Sequence, residues 1–350
     1  MQRRLWIAAA FAFAAGALAR PAGQPEAPAR LLPLQGNLSP VHDPVIIKDK
    51  DIYYVFCTGG RNGRGVLPIR SSRDMLTWET AGFVFPDSLP DWVATEVPRA
   101  TNGWAPDISR FNGTYHLYYS VSSFGSRDSA IGLATNATLD PSSPSYKWID
   151  QGMVVRSFRD KDDWNAIDPN LFVEPAGEGA GVWLTWGSFW GGIKMRRVDP
   201  STGKLSTTDT TMYSLASRPR EEPLGGSIEG AFLVKHGGFY YLFASFDRCC
   251  RGALSTYNVR VGRSDKITGP YVDREGKPMA EGGGTILIES TTGPWRGPGH
   301  EAVFADNGRD YLLFHAYPSE GRGSSLFIST MAWENGWPKV ASLPAGNSGR

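Results

Sequence analysis

The sequence predicts an all-β fold, specifically a five-bladed β-propeller. The first observation is a unit that recurs five times at intervals of roughly 60 to 70 residues, a long period typical of propeller blades. Each unit contains an acid, an apolar strand, a turn, and a second strand that ends in an aromatic residue. The second observation is that no segment has a long helical periodicity, so we expect little helix.

Each unit predicts a β-hairpin, because turn residues such as Asn-Gly or Gly-Gly separate two runs rich in Tyr, Phe and Val. The five predicted strand pairs are 44–47 with 52–56, 108–111 with 115–119, 171–173 with 182–186, 231–234 with 239–243, and 302–304 with 311–314. Further strands, each the third or fourth of a blade, are predicted at 130–134, 193–197, 259–262 and 326–331. The aromatic strand ends are Phe56, Tyr119, Trp186, Phe243 and Phe314.

The N-terminus predicts an exported protein, either periplasmic or secreted. Arg3 and Arg4 precede a short apolar run, and Ala17-Leu18-Ala19 resembles a signal-peptidase site, so we predict a signal peptide over residues 1–19. The run is shorter than the about 20 residues that a membrane span needs, which argues against an anchor. Residues 20–30, rich in Pro and Ala, predict a flexible lead, and residues 31–350 predict one domain.

Composition and charge exclude several classes of protein. The 350 residues are 41% hydrophobic and include 41 Gly and 25 Pro, which indicates a globular chain with many turns. The formal net charge is +1 and becomes −1 without the two arginines of the leader, so the sequence has no electrostatic footprint for nucleic acid. The adjacent Cys249 and Cys250 either form a vicinal disulfide or stay reduced.

An acidic residue opens each of the five units. These acids are Asp43, Asp107, Asp168, Glu229 and Glu301. Because corresponding positions of radial blades converge at the axis, we expect several carboxylates to meet there. Burial raises a carboxyl pKa and mutual repulsion separates the pKa values, so one acid can stay protonated while another is ionised. Any single acid could instead cap a turn, so we expect two or three to be chemical and the rest structural.

The residue after each strand-ending aromatic should lie near the crowded axis. Four of these residues are small, namely Cys57, Ser120, Gly187 and Ala244, whereas the fifth is His315. A lone imidazole in this place is either a core histidine or the protein ligand of an ion. A hard ion such as Ca²⁺ would complete its shell with oxygens, mostly from water.

Eight short motifs lie between about residues 35 and 340. They are His42-Asp43-Pro44, Trp104-Ala105-Pro106-Asp107, and the segments 164–169, 187–190, 227–231, 249–252, 297–300 and 333–338. Together they resemble glycoside hydrolase family 43, and the cysteine pair with the residues after it resembles the endo-1,5-α-L-arabinanases of that family. One departure is Ala316-Tyr317 after His315, where the family often has an aromatic residue and Asp.

The resemblance implies a five-bladed propeller and an inverting glycoside hydrolysis. By motif, Asp43 would be the general base that activates water, and Glu229 the general acid that protonates the leaving oxygen. Asp168 would orient Glu229 and keep its pKa high, and His315 matches the position of a central ion, usually taken as calcium. The residues that resemble arabinose contacts in the cleft are Trp104, Phe124, Asn165 and Ser188.

We therefore expect a monomeric endo-arabinanase that cuts internal α-1,5 linkages of arabinan and binds neither nucleic acid nor, after signal cleavage, a membrane. An exo-acting α-L-arabinofuranosidase or β-xylosidase of the same family is the first alternative. Many such enzymes carry a C-terminal β-sandwich, which we do not expect here. A sugar-binding propeller without catalytic activity is the second alternative, and in it all three acids would be dispensable.

Overall fold

The computed structural model describes residues 27–59, 65–175, 181–221 and 224–345, so the predicted signal peptide lies outside the described residues. Within these ranges helix is limited to α1 (Asp91–Glu96) and to two single 3-10 turns, Gly252–Leu254 and Met279–Glu281. None of the described helices is long and apolar enough to span a bilayer. The other regular elements are strands, which confirms the prediction of an all-β chain with little helix.

The described strands form five sheets in chain order, and each sheet is one blade. Blade one contains β2 (His42–Asp49), β3 (Ile52–Thr58), β4 (Val66–Ser72), β5 (Thr77–Phe85) and, parallel to β5, the short β1 (Gln35–Gly36). Blade two contains β6 (Trp104–Phe111), β7 (Thr114–Val121), β8 (Ser129–Asn136) and β9 (Ile149–Ser157). Blade three contains β10 (Asn170–Val173), β11 (Val182–Trp186), β12 (Ile193–Asp199), β13 (Lys204–Leu205) and β14 (Tyr213–Ala216). Blade four contains β15 (Ile228–His236), β16 (Phe239–Phe246), β17 (Asn258–Ser264) and β18 (Thr285–Glu289), and blade five contains β19 (Trp295–Asp306), β20 (Arg309–Pro318), β21 (Ser325–Glu334) and β22 (Trp337–Lys339).

The first strands of the blades form a ring around the axis. Each of β2, β6, β10, β15 and β19 contacts the next, and β19 contacts β2 again. The N-terminal segment crosses from blade one to blade five, where the Leu32 amide donates to the Ile328 carbonyl at 2.8 Å and the Thr330 amide donates to the Arg30 carbonyl at 2.9 Å. The five-bladed propeller is therefore confirmed. Arg30, the last residue of the predicted lead, takes part in this pairing.

The predicted hairpins agree with the structure, and their turns show why. At Asn112-Gly113, the two residues have φ values of 49° and 76°, the left-handed pair that a tight two-residue hairpin requires. The predicted third strands all lie within β8, β12, β17 and β21. The first strands, however, begin before the acids in blades one, two, four and five, whereas the prediction began them after the acids.

The hydrophobic core lies between neighbouring blades rather than at the axis. Phe111 and Leu133 of blade two pack with Leu184 and Trp186 of blade three, and similar clusters join the other pairs of blades. The five aromatics that end the second strands are all 0% exposed. The repeated aromatic is therefore a core residue of each blade, and the axis is left to the polar side chains of the first strands.

Candidate active site at the propeller axis

A β-bulge interrupts four of the five first strands near their openings. The pairing register shifts between residues 42 and 45, 104 and 107, 229 and 232, and 299 and 302. In each blade one residue at the opening has a left-handed backbone, namely Asp43 (φ 51°), Ala105 (φ 38°), Asp168 (φ 58°), Gly230 (φ 60°) and His300 (φ 49°). Bulges redirect side chains and occur often beside active sites, which explains why the strands begin earlier than predicted.

The five acids do not occupy equivalent positions relative to this left-handed residue. Asp43 and Asp168 are that residue, and Glu229 directly precedes it. Glu301 follows it by one position and Asp107 by two. The structure accordingly brings Asp43, Asp168 and Glu229 within mutual electrostatic reach, because the charges of Glu229 and Asp43 both raise the pKa of Asp168.

The carboxylate of Asp43 is surrounded by hydrogen-bond donors. Its Oδ1 lies 2.7 Å from Nδ1 of His42 and 3.0 Å from Nδ1 of His300, and its Oδ2 accepts a 2.5 Å hydrogen bond from the Thr58 hydroxyl. Burial alone raises the pKa of Asp43, but the charges of His300 and His42 outweigh burial and hold that pKa well below its usual range. The site therefore favours the ionised form of Asp43.

His42 is the imidazole that carries the compensating positive charge. Burial lowers its pKa, but the charge of Asp43 and their hydrogen bond reverse this effect, so the pKa of His42 is raised. Burial lowers the pKa of both His300 and His315. His42 Nε2 lies 2.7 Å from the Tyr317 hydroxyl, which completes a chain from Asp43 through His42 to Tyr317.

Asp168 and Glu229 form a second, contrasting carboxyl pair. Burial and the negative charges of Glu229 and Asp43 raise the pKa of Asp168 well above its usual value. Asp168 Oδ2 accepts the amide of Gly230 at 3.3 Å, which ties it to the backbone beside Glu229. The site therefore favours the protonated form of Asp168, whereas it favours the ionised form of Asp43.

Both oxygens of Glu229 are held by hydroxyl groups. The Ser188 hydroxyl donates to Oε2 at 2.6 Å and the Tyr257 hydroxyl donates to Oε1 at 2.7 Å. Ser188 lies two residues after the end of β11, ahead of Phe189 and Trp190, which both have left-handed backbones. Such backbone strain concentrates at functional sites. The acid is therefore fixed from two neighbouring elements.

The remaining two acids have separate surroundings. Asp107 accepts the Leu171 amide at 2.8 Å and the Asn170 side-chain amide at 3.2 Å, and burial raises its pKa to about 7. Glu301 accepts the Ser245 hydroxyl at 2.6 Å, and burial raises its pKa to about 8. Neither acid perturbs the pKa of Asp168. Of the five acids, three thus form one site and two lie apart from it.

Comparison with known proteins agrees with this geometry. A model of Glycosyl hydrolases family 43 matches residues 39–338. The chain belongs to glycosyl hydrolase family 43. It is a glycoside hydrolase, as the motifs predicted.

Relatives of this family 43 hydrolase include two extracellular enzymes. It is 43% identical over 300 residues to an endo-α-(1→5)-L-arabinanase of Bacillus subtilis, with 85% of this chain and 87% of the relative covered. It is 40% identical over 310 residues to an exo-α-(1→5)-L-arabinofuranosidase of Cellvibrio japonicus, with 86% of each covered. The solved structure of a Cellvibrio cellulosa α-L-arabinanase complexed with arabinohexaose superposes with a TM-score of 0.79, at 37% identity over 87% of this chain and 96% of that chain.

The predicted sugar contacts differ in their exposure. Trp104 and Phe124 pack with ring centroids 5.2 Å apart, and Phe124 is 74% exposed, so this pair forms an open aromatic surface beside the acids. Asn165 is buried, and its side-chain oxygen has no hydrogen-bond partner among the described residues. Ser188 contacts Glu229, so its hydroxyl holds the acid in this structure.

Sequence reasoning assigned no role to five residues that complete the site, namely His42, His300, Thr58, Tyr257 and Tyr317. A usable signal was present for the two histidines, because each directly precedes an acid of the repeat. Thr58, Tyr257 and Tyr317 lie on second or third strands or beside them, where the repeat gives no reason to expect a polar contact with the axis.

The family implies calcium at His315, and the donors around His315 can be compared with what calcium requires. Its Nδ1 accepts the Asp43 amide at 3.1 Å, and its Nε2 lies 3.0 Å from the Tyr317 hydroxyl. The ligand atoms of His42, Asp43 and His315 lie within 4.8 Å of one another, but two of these three groups are imidazoles. Calcium prefers six to eight oxygens, so a calcium ion at His315 would take most of its ligands from water, as predicted from the sequence.

Proposed function

We propose that this family 43 hydrolase cleaves internal α-1,5-L-arabinofuranosidic linkages of arabinan with inversion of configuration. The observation that carries the proposal is that Asp43, Asp168 and Glu229 meet at one axis in contrasting surroundings, with the pKa of Asp43 held low by two imidazoles and that of Asp168 raised by burial and by neighbouring carboxylates. An inverting glycosidase needs a base and an acid on opposite sides of the scissile bond. The arabinanase names of the relatives and the arabinohexaose complex support the substrate.

Asp43 is proposed as the general base. Its carboxylate accepts one hydrogen bond from Thr58 and lies within 3.0 Å of the Nδ1 atoms of His42 and His300, and a carboxylate has about four acceptor positions. The remaining position is available to a water molecule. As the water oxygen bonds to the anomeric carbon, one water proton passes to Asp43.

Glu229 is proposed as the general acid. Its two oxygens are held by Ser188 and Tyr257, whereas Asp168 is committed to the Gly230 amide. As the glycosidic bond breaks, the leaving oxygen takes the proton of Glu229. Asp168 is a positioning residue, since its Oδ2 accepts the Gly230 amide and so fixes the backbone beside Glu229.

An exo-acting arabinofuranosidase is the second candidate, because one relative at 40% identity carries that name. The products from linear arabinan distinguish the two activities. An endo enzyme releases a mixture of short oligomers early in the reaction, whereas an exo enzyme releases a single small product from the start. We expect the mixture.

Export is proposed for the same enzyme. The predicted signal peptide and the extracellular names of both relatives support it. Sequencing the N-terminus of the exported protein should show a chain that begins at Arg20, and size-exclusion chromatography should show a monomer.

Substitution of the two acids tests the proposal. We expect Asp43→Asn and Glu229→Gln each to lower kcat on arabinan by about 10²- to 10⁴-fold, the usual contribution of a general base or acid. Asp107→Asn is the matched control, because Asp107 is also buried on a first strand but lies apart from the triad. If both active-site variants keep wild-type activity, Asp43 and Glu229 are not the base and the acid and the proposed mechanism is wrong, whereas a wild type that binds arabinan without cleaving it would overturn the proposed reaction.

Calcium at His315 stays a prediction, which metal removal tests directly. An ion at this position is supported if chelation lowers the activity or the melting temperature and added Ca²⁺ restores it. The variant His315→Ala should then show no effect of chelation. Unchanged activity and melting temperature after chelation would leave His315 as a hydrogen-bonding residue between Asp43 and Tyr317.

A further inference from the structure

Two adjacent cysteines form a disulfide at the rim of the site. Cys249 and Cys250 are joined in the loop that follows β16, and the loop continues into the 3-10 turn Gly252–Leu254. Cys250 is exposed and Cys249 is half-buried. An oxidised pair has no thiol proton to donate, so it presents an apolar, polarisable surface to solvent. The proposed mechanism gives this surface no task.

The imidazole ring of His42 lies between the disulfide and Asp43, the proposed base. The Cys250 Sγ is 3.6 Å from Nε2 of His42, and Nδ1 of the same ring is 2.7 Å from Asp43 Oδ1. Both sulfurs are within 4.8 Å of a His42 ring nitrogen. An arabinan chain that extends from Asp43 past His42 would therefore reach the disulfide.

The disulfide and the aromatic pair are connected to different oxygens of Asp43. Asp43 Oδ2 accepts from the Thr58 hydroxyl, which accepts the Ala105 amide at 2.6 Å, and Ala105 adjoins the Trp104 that packs against Phe124. Asp43 Oδ1 instead contacts His42, which contacts the disulfide. Two separate apolar surfaces thus lie near the reacting position, as a cleft for several sugar units requires.

Hydrogen bonds hold the disulfide loop in place. The Cys250 amide donates to the Tyr317 hydroxyl at 2.9 Å, and the Arg251 amide donates to the Ser255 hydroxyl at 3.1 Å. Across the base of the loop, the Thr256 amide donates to the Arg248 carbonyl at 3.0 Å. A surface fixed before binding loses little conformational freedom when a ligand arrives, which favours affinity.

We propose that the Cys249–Cys250 disulfide is the floor of a sugar subsite beside His42, which takes the C–H face of an arabinofuranose unit. This inference rests on the proposed function and adds a second contact surface to it. It also gives the bond a reason to persist, because an exported enzyme works where disulfides remain oxidised.

The test compares a long and a short substrate in the double variant Cys249→Ala/Cys250→Ala. We expect kcat/KM for arabinohexaose to fall roughly tenfold, mainly through KM, while that for arabinotriose changes little, because a lost apolar contact is worth about this factor. Reducing the wild type with a phosphine should reproduce the change and should leave the double variant unaffected, since Cys57 is already a free thiol. Met212→Ala, an exposed apolar side chain on blade three, is the matched control.

Two results overturn the subsite. One is an unchanged hexaose-to-triose ratio in both the variant and the reduced wild type. The other is an equal loss on both substrates, which would mean that the bond only supports the fold. Calorimetry on the Glu229→Gln protein separates this failure from that of the proposed function. Binding of arabinohexaose that weakens on reduction supports the subsite, equal binding in both states overturns it, and no binding in either state overturns both proposals.

Discussion

At the scale of single residues, the partners of a buried carboxyl decide its charge more than burial does. Asp43 and Glu301 are both buried on first strands of their blades. Asp43 has two imidazoles and a hydroxyl around it, and its pKa is held low. Glu301 has one serine hydroxyl on Oε2, while its Oε1 has no partner among the described residues, and burial raises its pKa to about 8. The acids that open two blades of the repeat therefore differ in charge, because one has cationic and hydroxyl partners and the other has a single hydroxyl partner.

Tyr257→Phe should slow catalysis without weakening substrate binding. The change removes the 2.7 Å hydrogen bond to Glu229 Oε1 and keeps the ring. We expect kcat to fall roughly tenfold, because a hydrogen bond to a charged group contributes about 1.5 kcal/mol, with KM changed less than about twofold. Tyr241→Phe is the control, since the Tyr241 hydroxyl donates to the Gly336 carbonyl, away from the axis. An unchanged kcat in Tyr257→Phe would mean that Ser188 alone holds the acid.

Glu301→Gln should change how stability depends on pH. Between pH 4.5 and about 8 the unfolded chain loses the Glu301 proton while the folded protein keeps it, so the free energy of unfolding falls as pH rises. The slope from this one group is at most about 1.4 kcal/mol per pH unit. We expect the melting temperature of the variant, relative to wild type, to increase steadily from pH 5 to pH 8. The control is Glu79→Gln, an exposed position on β5, whose melting temperature should differ from that of wild type by the same amount at every pH. A constant difference for Glu301→Gln would contradict the raised pKa of Glu301.

At the scale of the strand, the bulge at each opening converts a repeated sequence into an asymmetric site. A regular strand would place the five acids at one level with one orientation. The bulges of four blades instead begin at the acid itself or one, two or three residues before it, and three of the five acids meet while two do not. The sequence determines which residue is the acid at each opening, whereas the pairing register of the strand determines how far along the propeller axis its carboxyl group lies.

Gly230→Ala tests the importance of one bulge. Gly230 has φ of 60°, and an added Cβ would lie 3.2 Å from Nδ1 of His300. Gly308→Ala is the matched control, because Gly308 has φ of 71° in a hairpin turn with open space around its Cβ position. Both variants should lose about 1 kcal/mol of stability from the left-handed backbone. Only Gly230→Ala should also lose activity, because it moves His300 or Glu229. Equal activity in the two variants would show that the bulge tolerates this shift.

Much of the fold was predictable because the hairpins depend on local signals. Asn112-Gly113 and the apolar runs around it are sufficient to place β6 and β7, and the resemblance to family 43 supplied the candidate acids. The contacts of Tyr257 and Thr58 were not predictable in the same way. They depend on which residue of a neighbouring strand faces the axis, and that in turn depends on bulges that no local sequence pattern marks. For the same reason, the sequence did not predict that Glu301 lies apart from Asp43, Asp168 and Glu229.

At the scale of the whole molecule, the site requires a closed ring. Asp43 belongs to blade one, while His300 and His315 belong to blade five, so the base is assembled across the junction between the first and last blades. Two connections hold this junction. The first strands β2 and β19 contact each other at the axis, and the N-terminal segment pairs with β21 at the periphery.

Removal of the N-terminal segment should therefore weaken the fold and the site together. A chain that starts at Gln35 loses the Arg30 and Leu32 backbone pairing with β21 and the packing of Leu32 and Leu34 on the core. At about 1 kcal/mol per lost hydrogen bond, with the apolar contacts added, the loss is several kcal/mol, and we expect the melting temperature to fall by about 5 to 10 °C. The control is a chain that starts at Ala27, which keeps the pairing and should have the same melting temperature as the mature protein. Equal melting of the two truncated chains would mean that contacts at the axis close the ring without this segment. A fall in arabinan cleavage by the Gln35 chain, measured well below its melting temperature, would further show that the blade junction holds the base in position.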